Sequence, residues 1–350
     1  IKAILNPELF DINLAQQNYD MNIFFDQNSL YQILFYFTPY KAFDPKQTIE
    51  YIRKGGLSLF VDENSVANEY LQTSGIVSKA NVMLSNAILK ALNNQLREAN
   101  SDFLEIIKLY PNHSILQFNL ALTFAQLGDF AQAYKHFVTS YHLDPSNHIA
   151  GAYAIMAAKM IGRDAKRLTK EVMDTMDADT NLDQDNIYKA MIQLTQGNQG
   201  ALNDWLDKNY NESVLNIVFN IICAYITDRN DIVILATDKL NQKLPNDVLT
   251  NIIYSVTRFD VKNIKNYAKD IQVKFLTTKL DKGTLYGGAT IIKTEYIKLL
   301  QIAGLLNIER ESIIKDLKIS SDNTKDILHT LAYLSLFTGH YEEAYTIYNE

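Results

Sequence analysis

The chain has 350 residues, of which 47% are hydrophobic and 21% are charged, which is the composition of an ordinary folded globular protein. It contains no unbroken run of about 18 apolar residues that would span a membrane, and its net charge of -7 argues against nucleic acid as the main partner. Its six prolines and thirteen glycines are too few for a protein built of many short strands, so long helices are expected.

Residues 1–75 are set apart from the rest of the chain by their aromatic side chains. Seven of these side chains lie close together in the sequence: Phe24, Phe25, Tyr31, Phe35, Tyr36, Phe37 and Tyr40. Further along, Asp44 and Pro45 predict the start of a helix, and Gly55 with Gly56 predicts where that helix stops.

The clearest pattern is the 34-residue stretch Ser114 to Asn147, which predicts two amphipathic helices separated by a turn at Gly128 and closed by Pro145. Small residues suit a close crossing of the two helices and large ones fill the gaps beside it: Ala121, Ala133, Phe124 and Phe137. Together with Leu120 and Phe130, this pattern resembles a tetratricopeptide repeat (TPR). Two positions depart from that family, with Gln117 in place of an aromatic residue and Ser140 in place of alanine.

The neighbouring windows repeat the same spacing. The preceding window carries Ala87, Ala99, Phe103 and Pro111, and the following one carries Ala154, Ile155 and Gly162. Residues 214–245 and the last residues from Leu328 fit further helix pairs, while 185–206, 247–275 and 288–317 show helical periodicity alone. The resemblance therefore implies an all-α fold, a right-handed superhelix (α-solenoid) of TPR and TPR-like helix pairs. We expect residues 1–75 to form a non-repeat cap, 76–181 the clearest repeats and 182–350 degenerate repeats.

No residue pattern points to catalysis, a cofactor or a metal ion. The six histidines include no pair at the spacing of a helical zinc site. The acidic run from Asp177 to Asp185 lacks the glycine and glutamate of an EF-hand. The glycines at 283, 287 and 288 lack the lysine of a phosphate loop and instead predict a helix-breaking turn. Cys223 lies in an apolar run and is expected to be a small buried residue.

The resemblance to TPR proteins implies that a partner would bind the inner wall formed by the first helix of each repeat. On this chain the predicted partner-binding groove consists of Leu84, Ile88, Ile115, Phe118, Leu122, Gln126, Ala152, Met156 and Lys159. This wall is largely apolar and has to be covered. Either a helix of a partner or this chain's own residues 1–75 would cover it.

These observations favour a non-catalytic protein-interaction scaffold. The Asn-, Ile-, Lys- and Tyr-rich composition, and an aromatic segment before a degenerate repeat array, resemble the repeat proteins of the paralysed-flagellum group. That resemblance implies a periplasmic disk of the flagellar motor, assembly in a ring, contact with a second repeat protein and support of the stator units. Both ends of the chain look cut, so attachment to the inner membrane would need a segment outside it. The alternatives are a cytoplasmic or secretion-linked adaptor that binds peptide segments, and the regulatory region of an enzyme.

Overall fold

A computed structural model describes residues 13, 17, 25–42, 45–61, 63–179, 186–208, 211–319 and 324–349. Nineteen helices and no strand are found in these ranges, and most consecutive helices are joined by short connections. Short connections make neighbouring helices run antiparallel. The predicted all-α fold of stacked helix pairs, an α-solenoid of TPR-like repeats, is therefore confirmed.

The described helices form two compact units. Unit 1 contains the described residues up to Thr38, Gln126–Gly128 and those from Asp177 onward, and unit 2 contains Pro39–Ala125 and Asp129–Met176. Unit 2 holds, but for the last residues of α5 and α8, the helices α2 (Pro45–Phe60), α3 (Asn64–Leu92), α4 (Leu96–Leu109), α5 (Ser114–Leu127), α6 (Phe130–Leu143), α7 (His148–Met160) and α8 (Lys166–Ala178). Unit 1 holds α1 (Gln27–Phe37), α9 (Ile187–Gln196), α10 (Gln199–Lys208), α11 (Val214–Ile226), α12 (Asn230–Lys243), α13 (Val248–Arg258), α14 (Ile264–Thr277), α15 (Lys282–Gly287), α16 (Thr290–Ala303), α17 (Leu306–Ile319), α18 (Thr324–Phe337) and α19 (Tyr341–Asn349).

Seven of the turns between consecutive helices contain a residue with positive φ. Among the described residues these are Asn94, Gly128, Gly162, Gly197, Asp228, Gly304 and Gly339. The first three are each 34 residues apart, which is the repeat length read from the sequence. Glycine, asparagine and aspartate tolerate this left-handed backbone best, so the turn keeps its shape where glycine is replaced.

The packing inside the 114–147 repeat follows the sequence pattern. Ala121 and Ala133 are fully buried, and the ring of Phe137 lies 5.6 Å from that of Phe118. Asp129 precedes α6, and its Oδ1 accepts a hydrogen bond from the Gln132 backbone N–H at 3.0 Å. Such a cap satisfies one of the free donors at the start of a helix.

The predicted helix stop at Gly55 and Gly56 is wrong, because α2 continues through both glycines to Phe60. The reason is packing between α2 and α3. A Cβ at residue 55 would lie 2.9 Å from Leu71 Cγ of α3, so the glycine allows the two helices to approach closely. Gly283 and Gly287 likewise lie within the short helix α15, and only Gly288 follows its end.

The aromatic N-terminal segment is divided differently from the prediction of a single cap over residues 1–75. Helix α1 is a core element of unit 1, where it packs against α11 and α16 and buries Tyr31, Leu34 and Phe35. Residues 39–42 belong to unit 2, and the boundary predicted at residue 75 falls inside α3.

Candidate functional site

The predicted inner wall is mostly closed within the chain. Five of the nine predicted groove residues are almost completely inaccessible: Leu84, Phe118, Leu122, Ala152 and Met156. Gln126 is also buried, Ile88 and Ile115 are partly buried against the core around Leu84, and only Lys159 is exposed. The prediction of an open partner groove is therefore corrected for the five inaccessible residues, and the chain's own residues account for part of the cover.

Residues 39–42 lie over the part of the wall formed by α5. The Lys41 backbone N–H donates to Asn119 Oδ1 at 2.9 Å, and Asn119 Nδ2 donates to the Lys41 carbonyl oxygen at 2.9 Å. The N–H and C=O of one residue point to the same side only when the backbone is extended, as in a strand. Asn119, which is fully buried, therefore holds an extended segment by its main chain.

The side chains of Tyr40 and Lys41 occupy separate subsites on unit 2. The Tyr40 ring stacks on Phe103 with centroids 6.3 Å apart, and burial raises the pKa of its hydroxyl. Lys41 Nζ donates to Asn147 Oδ1 at 2.5 Å and lies 5.1 Å from the centre of the Phe118 ring. Burial lowers the pKa of Lys41, and the negative charge of Asp144 opposes this effect. The subsite thus combines an amide acceptor, an aromatic face and a nearby carboxylate, all of which favour a cation.

One of the two departures from the TPR pattern, Ser140, is explained by the hydrogen bonds of its hydroxyl. Ser114 and Ser140 each donate a hydroxyl hydrogen bond to the other's backbone carbonyl at 2.9 Å. Asn147 Nδ2 donates to the Ser140 hydroxyl at 3.0 Å, which directs Asn147 Oδ1 toward Lys41. A serine in place of alanine therefore positions the lysine subsite. The sequence shows the substitution, but nothing in it indicates this network.

The other departure from the TPR pattern, Gln117, is explained by the hydrogen bonds of its side chain. Its Nε2 donates to the Pro111 carbonyl at 2.7 Å, and its Oε1 lies 2.7 Å from His136 Nδ1. An amide oxygen only accepts hydrogen bonds, so Nδ1 of His136 carries the proton. Burial, followed by the charge of Lys135, lowers the pKa of His136 to about 4, so the histidine is neutral near neutral pH.

Unit 1 contains a partly buried carboxylate, Asp247, that sequence reasoning missed. The Tyr36 hydroxyl of α1 donates to Asp247 Oδ1, and Asp247 Oδ2 accepts the Thr250 backbone N–H at 2.7 Å at the start of α13. Burial is the main cause of the raised pKa values of both Tyr36 and Asp247. Gln126 Nε2 donates to the Phe35 carbonyl at 2.9 Å within the same unit. These contacts fix α1 and serve no reaction that the surrounding residues suggest.

The surface of unit 2 carries an apolar stripe on the second half of α3. Val82, Leu89 and Leu92 expose 60%, 56% and 64% of their surface. We call these three residues the α3 stripe.

Metal and membrane features are absent from the parts of the chain that can be described. No three His, Cys, Asp or Glu side chains come together there in a group that could bind a metal ion. None of the helices in those ranges combines the length and apolar character that crossing a bilayer requires. Most of the acidic run considered for calcium, residues 180–185, lies outside the described residues. Cys223 is buried, and burial raises the pKa of its thiol, as expected of an inert core residue.

Comparison with known proteins gives no family. No protein-family description matches the sequence, and no curated protein matches it significantly. Among solved structures, the human IFIT1 dimer with PPP-AAAA is 14% identical with a TM-score of 0.46, covering 85% of this chain and 80% of the matched chain. The structure of Naa15/Naa10 bound to HypK-THB is 13% identical with a TM-score of 0.29, covering 97% of this chain and 58% of the matched one. At these values the likeness identifies neither a family nor a partner.

Proposed function

We propose that the chain is a non-catalytic protein-interaction scaffold, and that the α3 stripe receives an amphipathic helix of a partner protein. The observation that carries this proposal is the mismatch in length between α2 and α3. Helix α2 has 16 residues and α3 has 29, so α2 spans about 24 Å of a helix about 44 Å long. The second half of α3 extends beyond its partner.

The face of α3 that α2 covers continues into the uncovered half. Ala67 and Ser74 are buried, and Leu71 packs at Gly55 of α2. Val82 and Leu89 follow Leu71 by 11 and 18 residues, which is about three and five helical turns and places them on the same face. Since a helix already pairs with the first half of this face, a second helix in line with α2 is the occupant that fits the rest.

Crosslinking from this face tests the proposal. A photo-crosslinking residue at Leu92 of the full chain, expressed in its source cells, should capture a helical segment of one partner, and Val82→Lys with Leu89→Lys should abolish the capture. Val273→Lys with Leu276→Lys is the matched control, because these residues of α14 expose 55% and 62% of their surface. Capture that survives the α3 substitutions, or that the α14 substitutions reduce equally, would contradict the proposal.

A more specific role is also proposed, as a periplasmic disk component of a bacterial flagellar motor that assembles in a ring and supports stator placement. Its support is the composition and the order of an aromatic segment before a degenerate repeat array. Deletion of the gene should leave flagella assembled but poorly driven, and a fluorescent fusion should localise at the motor. Normal swimming of the deletion strain would refute this role while leaving the scaffold proposal intact.

A further inference from the structure

The segment Pro39–Ala42 is held in unit 2 as an extended ligand would be held. It has no regular secondary structure, and two of its hydrogen bonds join its main chain to the side chain of Asn119. Hydrogen bonds to the main chain can form with any sequence in the extended conformation. They therefore contribute affinity but no sequence specificity.

Selection comes from the two side-chain subsites. Phe103 offers a ring face to Tyr40, while Asn147 and Phe118 surround the ammonium group of Lys41. An aromatic residue followed by lysine satisfies both subsites, because successive side chains of an extended segment point to opposite sides. The Ser114 and Ser140 hydroxyls hold Asn147 from behind, at 3.3 and 3.0 Å from its Nδ2, so the lysine subsite is supported by its own network.

We infer that the surface around Asn119 is a peptide-binding groove for an extended aromatic–lysine segment, and that residues 39–42 occupy it in cis. A partner that presents the same dipeptide competes with this internal segment. The inference depends on the proposed scaffold role only for its use in the cell, since the groove itself can be tested with the purified chain.

Tethering sets the strength of the competition. A ligand joined to its site by a short connection acts at an effective concentration of about millimolar, so a free peptide binds the intact chain only weakly. A chain whose internal segment no longer fits should bind the same peptide more tightly.

The direct test empties the groove and supplies the segment in trans. Tyr40→Gly with Lys41→Pro removes the ring, the ammonium group and the backbone N–H that Asn119 accepts. A fluorescent hexapeptide with the sequence of residues 38–43 should bind this emptied variant at least tenfold more tightly than it binds the unchanged chain. Adding Asn119→Ala to the emptied variant should weaken binding at least tenfold, and a peptide with alanine in place of tyrosine and lysine should bind equally weakly. Equal binding of both peptides, or of neither, by a variant that keeps its helical circular dichroism would overturn the inference.

A second measurement uses the unchanged chain, in case the emptied variant does not fold. At millimolar hexapeptide, amide hydrogen exchange at Lys41 should increase while that of α5 and α7 stays the same. No increase would show that the segment is a fixed part of the fold. Neither measurement depends on crosslinking at the α3 stripe. The peptide-binding inference can therefore be refuted while the scaffold proposal stands, and the reverse.

Discussion

Gly151 of α7 provides the sharpest test of how the helices of unit 2 pack. A Cβ at this residue would lie 2.8 Å from both methyl carbons of Val172 in α8 and 3.2 Å from Tyr141 Cδ2 in α6. Both neighbours are buried, so neither has room to move away. Overpacking of this kind costs about 1 to 3 kcal/mol, whereas replacing glycine by alanine inside a helix gains about 1 kcal/mol. Gly151→Ala should therefore lower the free energy of unfolding by about 1 kcal/mol.

Gly75 of α3 is the matched control. It is exposed, and a Cβ there would meet nothing within 4 Å, so Gly75→Ala should raise the free energy of unfolding by about 1 kcal/mol. The gain in helix propensity is common to both variants. The difference between them, about 1 to 3 kcal/mol, thus measures the steric cost at Gly151 alone.

Urea unfolding followed by circular dichroism measures both variants, and unchanged m-values confirm that the same transition is compared. The double variant Gly151→Ala, Val172→Ala should be less destabilised than the sum of the two single variants, since Val172→Ala removes the two methyl groups that conflict with the new Cβ. If Gly151→Ala is as stable as Gly75→Ala, or if the two changes in α7 and α8 are additive, the steric reasoning is refuted.

Three further predictions concern stability. The pKa of His136 falls from 6.5 to about 4 on folding, so the unfolded chain takes up this proton at a higher pH than the folded chain. The free energy of unfolding should therefore decrease as the pH drops from 6.5 to about 4. Urea titrations at several pH values should show a smaller decrease for His136→Gln. Tyr36→Phe should cost about 1 to 3 kcal/mol in the same assay, because it removes the hydroxyl that donates to the partly buried Asp247 carboxylate, and no loss would show that the hydroxyl is dispensable. Gly288→Ala should cost about 3 kcal/mol, because its Cβ would lie 2.2 Å from the Thr284 carbonyl oxygen, and thermal unfolding at an unchanged temperature would contradict this.

The helix pairs could be predicted because their spacing is local. Turns with glycine, such as those at Gly128 and Gly162, are evident in the sequence and lie at positive φ in the structure. Asn94 and Asp228 form the same turn without glycine, and a search for glycine therefore overlooks them. The short helix α15 was missed because its glycines suggested a break.

The cover of the groove could not be predicted in the same way. Asn119 and Lys41 are separated by 78 positions, and no periodicity links them. The inner-wall positions were read correctly as apolar, but apolar residues suit an open wall and a filled one equally. Only the extended backbone at Lys41, matched to a buried amide, distinguishes the two.

Trp205 is an intrinsic fluorescent probe for one pair of helices. It is the chain's single tryptophan, its Nε1 donates to Asn220 Oδ1 at 2.8 Å, and its ring meets Phe219 edge to face with centroids 5.5 Å apart. Its fluorescence therefore reports the packing of α10 on α11 in unit 1, whereas circular dichroism averages over every helix. Coincidence of the two signals during unfolding would mean that loss of order spreads along the whole array, and separation would mean that its repeats melt in stages.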